Sequence, residues 1–139
     1  MHEILERTTT ETQTTVTRVL DAGQILEMRH LARSVPIARP VQAYAVRLTM
    51  GSHPASPYAT ALVKRYVRYG ASPRAAQALV LAGKIQALTH GRAFVSVDDI
   101  RNVALAALRH RLLLNFEGDA DEVSTDAIVT ELLGTVATE

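Results

Sequence analysis

Residues 72–91, SPRAAQALVLAGKIQALTHG, constrain the fold of this chain more than any other stretch. Ser72 stands where an N-cap belongs, Pro73 occupies the first helical position, and Gly91 falls just past the end. Between these stops Ala75, Ala76, Ala78, Leu79, Val80, Leu81, Ala82, Ile85, Ala87 and Leu88 leave little of the circumference polar. A helix apolar nearly all round is predicted to be buried in the middle of a bundle. Its polar exceptions form a narrow stripe. Gln77 and Lys84 lie about 20° from each other on a 3.6-residue wheel, and Arg74 lies about 60° away.

The rest of the chain supplies partners for such a helix. Asp21 is placed to cap a helix over 22–34 with Ile25, Leu26, Met28 and Leu31 on its apolar side. Pro40 fits the first turn of another, on which Val41, Tyr44, Ala45 and Leu48 follow the i, i+3, i+4, i+7 pattern. Residues 51–57 read as a loop, and 58–69 as a short helix or irregular chain. Ser96-Val97-Asp98-Asp99 is a capping signature for a helix carrying Val97, Ile100, Val103, Ala104, Ala107 and Leu108. An acidic loop, Glu117–Glu122, precedes a last helix capped by Ser124 or Thr125, with Ile128, Val129, Leu132, Leu133 and Val136 inward. Two Phe, four Tyr and no Trp in 139 residues leave the interior to Ala, Leu and Val, which favours helices. The expected fold is all-α: a five- to six-helix bundle with at most a short β stub near 94–95.

Residues 8–17 are different: seven of ten are Thr, with no periodicity that asks for burial. They read as a linker or an extended edge segment. No apolar h-region follows Met1, and strictly apolar runs such as Ala78 to Ala82 fall far short of the ~18–20 residues that span a bilayer. The expectation is a cytoplasmic protein without a membrane span.

Formal charge is +1, yet it is unevenly spread. Residues 1–27 sum to −3, residues 28–97 hold ten bases and no acid, and residues 112–139 hold seven acids and no base. Such a basic block invites an anionic partner, whether nucleic acid, nucleotide phosphate or an acidic protein face.

Most chemistry is excluded. Without cysteine there is no disulfide scaffold, thiol nucleophile or Cys-based zinc site. G-x-x-x-x-G-K-[ST], G-x-G-x-x-G and G-x-S-x-G are all missing, and Gly83-Lys84 sits in mid-helix. His2, His30, His53, His90 and His110 lack metal-ligand spacing and read as surface, capping or packing residues; no metal site is expected. His110, between Arg109 and Arg111, suits a helix C-terminus, and Asp98-Asp99 a helix start. No residue of the chain is assigned a catalytic role.

Arg74 resists a purely structural reading. At the second position of a helix, the positive end of the macrodipole disfavours a cation. An Arg there turns away to solvent, pairs with an acid elsewhere in the chain, or shares an anion, most naturally a phosphate, with the amides of the first turn.

The surrounding residues, Gly70-Ala71-Ser72-Pro73-Arg74-Ala75, resemble the signature of the MoxR family of AAA+ ATPases. Gly91-Arg92-Ala93-Phe94-Val95 with Asp98-Asp99-Ile100 is similar to the family's G-R-x-[YF]-V-x-x-x-D-[VI], and Leu108-Arg109-His110-Arg111 to its L-x-H-R run. Val35-Pro36-Ile37 with Val41, Tyr44 and Val46 fits the upstream helices, so the likeness covers roughly residues 20–136. The resemblance implies a C-terminal helical lid over 21–139, with 1–20 taking in the end of the ATPase core and a Thr-rich linker. It places the cofactor-binding role of sensor 2 on Arg74, with Ser72 as the cap that aims its helix. It further implies ATP and Mg bound by the parent but not tightly by this segment, a hexameric ring, and a von Willebrand factor A-domain partner. One departure stands out: Met50 is followed by Gly51 where many relatives continue Thr-Arg.

A second reading, a small helical nucleic-acid-binding module, draws on the basic 28–97 region. Against it, the bases are scattered, Lys64, Arg65 and Arg68 forming the one dense cluster, and stacking aromatics are few. A third, a pure helical interaction domain, would respond to no nucleotide even when joined to a core.

Overall fold

Helix α5, Pro73–Thr89, is the spine of the molecule. The computed structural model describes residues 1–10 and 16–138, and among these it has eight α-helices and one small sheet. Alongside α5 lie α6 (Val97–Leu108), its principal partner, then α3 (Arg39–Gly51) and α2 (Ala22–Ser34). Helix α8 (Thr125–Thr135) closes the far side against α6, α3 and α4 (Ala61–Tyr66). The core gathers Tyr44, Leu48, Val63, Leu79, Ile100, Leu108, Ile128 and Leu132, all completely buried.

The α5–α6 contact is close because Gly83 has no side chain. A Cβ there would stand 2.7 Å from Ile100 Cδ1 and 3.3 Å from Val95 Cγ1. The Gly-Lys dipeptide in mid-helix therefore has a packing reason. Helix starts follow the expected chemistry. Asp21 and Gln24 form a capping box on α2, Ser96 and Asp99 another on α6, and the Ser124 hydroxyl accepts from Asp126 N–H on α8. At the other end of α5, His90 is the C-cap and Gly91 takes the left-handed conformation, φ +69°.

The all-α expectation holds, with corrections at the short elements. The acidic segment after Asn115 is not a loop but a one-turn helix, α7 (Phe116–Ala120), because the Asn115 side chain accepts from Gly118 N–H at 2.8 Å. Residues 58–69 resolve into α4 and a strand, β1 (Val67–Tyr69), which pairs antiparallel with β2 (Leu113–Leu114). The stub near 94–95 is a single parallel bridge from Val95 to Ile37. Helix α1 (His2–Thr9) runs into the Thr-rich segment; Thr8 and Thr9 are helical, their hydroxyls donating to the carbonyls of Ile4 and Leu5. Residues 11–15 of that segment lie outside the described residues.

The largest correction concerns α5 itself. It is not surrounded. Ala75, Leu79, Gly83 and Ala87 are buried on one face, while Leu81 and Ile85 keep 39% and 51% of their surface. The apolar side of α2 is exposed as well, at Ile25, Leu26, Met28 and Leu31. Counting apolar positions cannot distinguish a helix buried all round from one whose second face has no cover within the chain.

Candidate functional site

The turn leading into α5 is built by residues far from it in sequence. Ser52, just beyond α3, is completely buried; its hydroxyl donates to Thr49 O at 2.6 Å and accepts the Ala71 N–H at 2.8 Å. The next residue, His53, donates its Nε2–H to Ala71 O at 2.9 Å. Both polar groups of the Ala71 peptide are thus taken up by two consecutive residues. Gly70 passes so near that a Cβ would stand 2.5 Å from Ser52 O. Three residues after Gly70 the chain enters α5 with Pro73 and Arg74.

Arg74 is exposed and makes no ion pair within the described residues. The alternative of an internal acid partner is thereby set aside. Ser72 sits at the N-cap position with extended backbone, but its side chain makes no capping hydrogen bond. Its expected role in aiming the helix is accordingly not carried by a cap; the anchor lies at Ala71. The first turn also offers an anion fewer amides than a helix start usually does. Pro73 has none, and that of Ala75 turns back on Ser72 O at 2.7 Å. What remains is a guanidinium carried on a helix whose start is pinned from behind.

Arg74 stands at the edge of an apolar and basic surface. Val46, Thr49, Met50, His53, Ala71, Pro73 and Ala76 line a shallow depression beside it. Along the outer side of α5, Ile25, Met28, Leu31, Leu81, Ile85 and Leu88 floor an open groove of about 530 Å³ rimmed by Arg29 and Arg33. Lys84, from the predicted polar stripe, donates to Arg33 O at 2.8 Å and ties α2 to α5.

A second motif lies behind this surface. Arg92 reaches Asp99 with two nitrogens, at 2.7 and 2.5 Å, and Asp99 is almost wholly buried. The Arg92 guanidinium, helped by the Ser96 N–H and hydroxyl, holds the Asp99 carboxyl well below the usual carboxylate range, against the opposing effect of burial. Asp99 is thus more than a dipole partner at a helix start. It anchors the turn between α5 and α6, a role that depends on a contact seven residues back.

The basic block is only partly neutralised. Of its ten bases, Arg65 pairs with Glu117 and Asp121 and Arg92 with Asp99, within the described residues. The acidic end of the chain also holds Arg109 through Asp126. The dense cluster at 64–68 therefore presents less free charge than its sequence implied. Among the described residues no group of His and carboxylates could hold a metal ion, and no helix is long and apolar enough to cross a membrane.

Comparison with known proteins fits this geometry. The model of the AAA lid domain matches residues 59–132, which include the Arg74 turn and the Arg92–Asp99 pair. Chaperone MoxR1 of Mycobacterium tuberculosis is 32% identical over 120 residues, 86% of this chain and 32% of that protein. The uncharacterized protein YeaC of Bacillus subtilis is 39% identical over 70 residues, half of this chain and 22% of its own length. The chain thus spans about a third or less of these curated relatives. A crystal structure from Cytophaga hutchinsonii, of a protein provisionally assigned as an ATPase, superposes with a TM-score of 0.82 at 29% identity. It covers 98% of this chain and 42% of that one. The likeness to MoxR-type AAA+ proteins first seen around Arg74 extends through the fold, and the chain belongs to the AAA lid domain family.

Proposed function

We propose that this chain is the lid of a MoxR-type AAA+ ATPase and that Arg74 is its sensor 2 arginine. One observation carries the reading: an exposed arginine without an acid partner stands at the start of the longest helix, in a 70-residue stretch that contains no carboxylate. Nothing within the described chain neutralises it, and it is free to meet a phosphate presented by another domain.

In the parent, Mg-ATP sits in the α/β core and supplies the phosphoanhydride whose cleavage drives the cycle. The lid contributes the Arg74 guanidinium toward the terminal phosphates and a helix rigid enough to convert that contact into rotation. A charge contact made in one nucleotide state and lost in the other is a two-state switch. The uncovered faces of α2 and α5 dock on the core or on a neighbouring subunit of a ring, commonly a hexamer. The ring works in the cytoplasm as a chaperone-like or assembly ATPase with a von Willebrand factor A-domain partner. This segment carries no P-loop and hydrolyses nothing alone.

Arg74→Ala in the full-length protein tests the assignment. ATP turnover is expected to fall about a hundredfold, as when one transition-state donor is removed, while the melting temperature hardly moves because the side chain is exposed. Unchanged turnover would overturn it. Steeply salt-dependent DNA affinity of the lid would instead favour the nucleic-acid reading.

A further inference from the structure

Taking Arg74 as the phosphate sensor, we propose that Ser52 and His53 are its positioning residues: a clamp from the end of α3 that fixes where Arg74 points. The clamp is the pair of bonds on the Ala71 peptide. Ser52 Oγ accepts its N–H and His53 Nε2–H donates to its carbonyl. Ser52 is held in turn by its own bond to Thr49 O, so its lone pair faces Ala71 in one orientation. Gly70 and the Ser52 carbonyl leave no room for a side chain between the two segments, so the approach itself is tight.

Three features pass this constraint to Arg74. Ala71 is completely buried and cannot swing out without breaking both bonds, of which the one to the buried Ser52 hydroxyl is out of reach of water. Pro73 fixes the backbone angle of the intervening step. Ser72, the residue that would ordinarily orient a helix start, makes no side-chain cap bond. Orientation of the first turn of α5 thus comes from the clamp together with the buried Ala75 beneath it. His53 also lines the depression with Pro73 and Ala76, so the clamp forms one wall of the surface at the start of α5.

The effect on catalysis is positional, and small displacements of a contacting group are costly. The full-length ATPase carrying Ser52→Ala, His53→Ala, His53→Gln and Arg74→Ala, singly and with each clamp substitution added to Arg74→Ala, provides the test. Ser52→Ala and His53→Ala are expected to lower kcat about tenfold, with hydrogen exchange showing the α5–α6 core still protected. Glutamine can present an amide N–H where His53 Nε2 stood, so His53→Gln restores most of the rate. On the Arg74→Ala background neither clamp substitution costs anything further, because there is nothing left to position. Losses that add to that of Arg74→Ala, or wild-type kcat in folded clamp variants, overturn the clamp and leave the sensor assignment standing. If Arg74→Ala alone leaves turnover intact, the sensor assignment falls and the clamp's positioning role falls with it.

Discussion

Asp99 shows how much one side chain can carry. It accepts two bonds from Arg92, receives the Ser96 N–H and hydroxyl, and is nearly inaccessible to water. Removing Asp99 takes away a buried acceptor of four hydrogen bonds, while Arg92, a third of whose side chain is exposed, can turn to water; the cost is about 1–3 kcal/mol. Asp99→Ala is expected to lower stability by that amount in urea unfolding of the isolated lid. The pH dependence has a definite sign. Because the folded-state carboxyl titrates below its ordinary value, its contribution is complete above about pH 5 and is lost progressively as the pH falls below that. Asp99→Asn should flatten the fall in urea midpoint between about pH 5 and pH 2; an unchanged slope would assign acid lability to other groups. Ser72 makes the opposite case. A working N-cap is worth about 1 kcal/mol, but this hydroxyl makes no cap bond, so Ser72→Ala should cost less than about 0.5 kcal/mol in the same assay.

Helices rather than strands decide what can be read from such a chain. Helix α5 and α6 meet where Gly83 faces Ile100, and volume is the governing quantity there. Gly83→Ala sets about 1 kcal/mol of helix propensity against displacement of the Ile100 end group, and is expected to come out near neutral. Gly83→Val overfills the contact and should destabilise by about 1–3 kcal/mol by denaturant midpoint. Helices 22–34 and 97–108 were legible because capping residues and period-3.6 apolar positions are local signals. Helix α7 and the β1–β2 pair were not, since each is set by distant chain: Asn115 N–H donates to Tyr66 O and its side-chain amide to Arg65 O, across about fifty residues. Arg74 could be singled out because a cation at a helix start contradicts the local dipole. Ser52 and His53 could not, as their partner Ala71 lies nineteen and eighteen positions away and has no polar side chain.

At the scale of the molecule, burial is lopsided. One side of the bundle has a full core, while the α2–α5 side presents Met28, Leu31, Leu81 and Ile85 to solvent under a rim of Arg29 and Arg33. Ile85→Glu should therefore leave the isolated lid within about 0.5 kcal/mol of its stability, because half of the side chain is already wet. In the full-length protein the same change is expected to weaken ring assembly, read by light scattering. A destabilised lid, or an unaffected ring, would count against docking through this groove. The two ends of α5 are also mechanically unequal. From Arg74 to Leu88 is roughly 21 Å along the axis, so a tilt of about 10° at the arginine end sweeps the groove end through roughly 4 Å. On the proposed reading of Arg74 the helix is a lever arm: a change of charge contact too small to see at its fulcrum becomes, at the groove, a stroke about the size of a side chain.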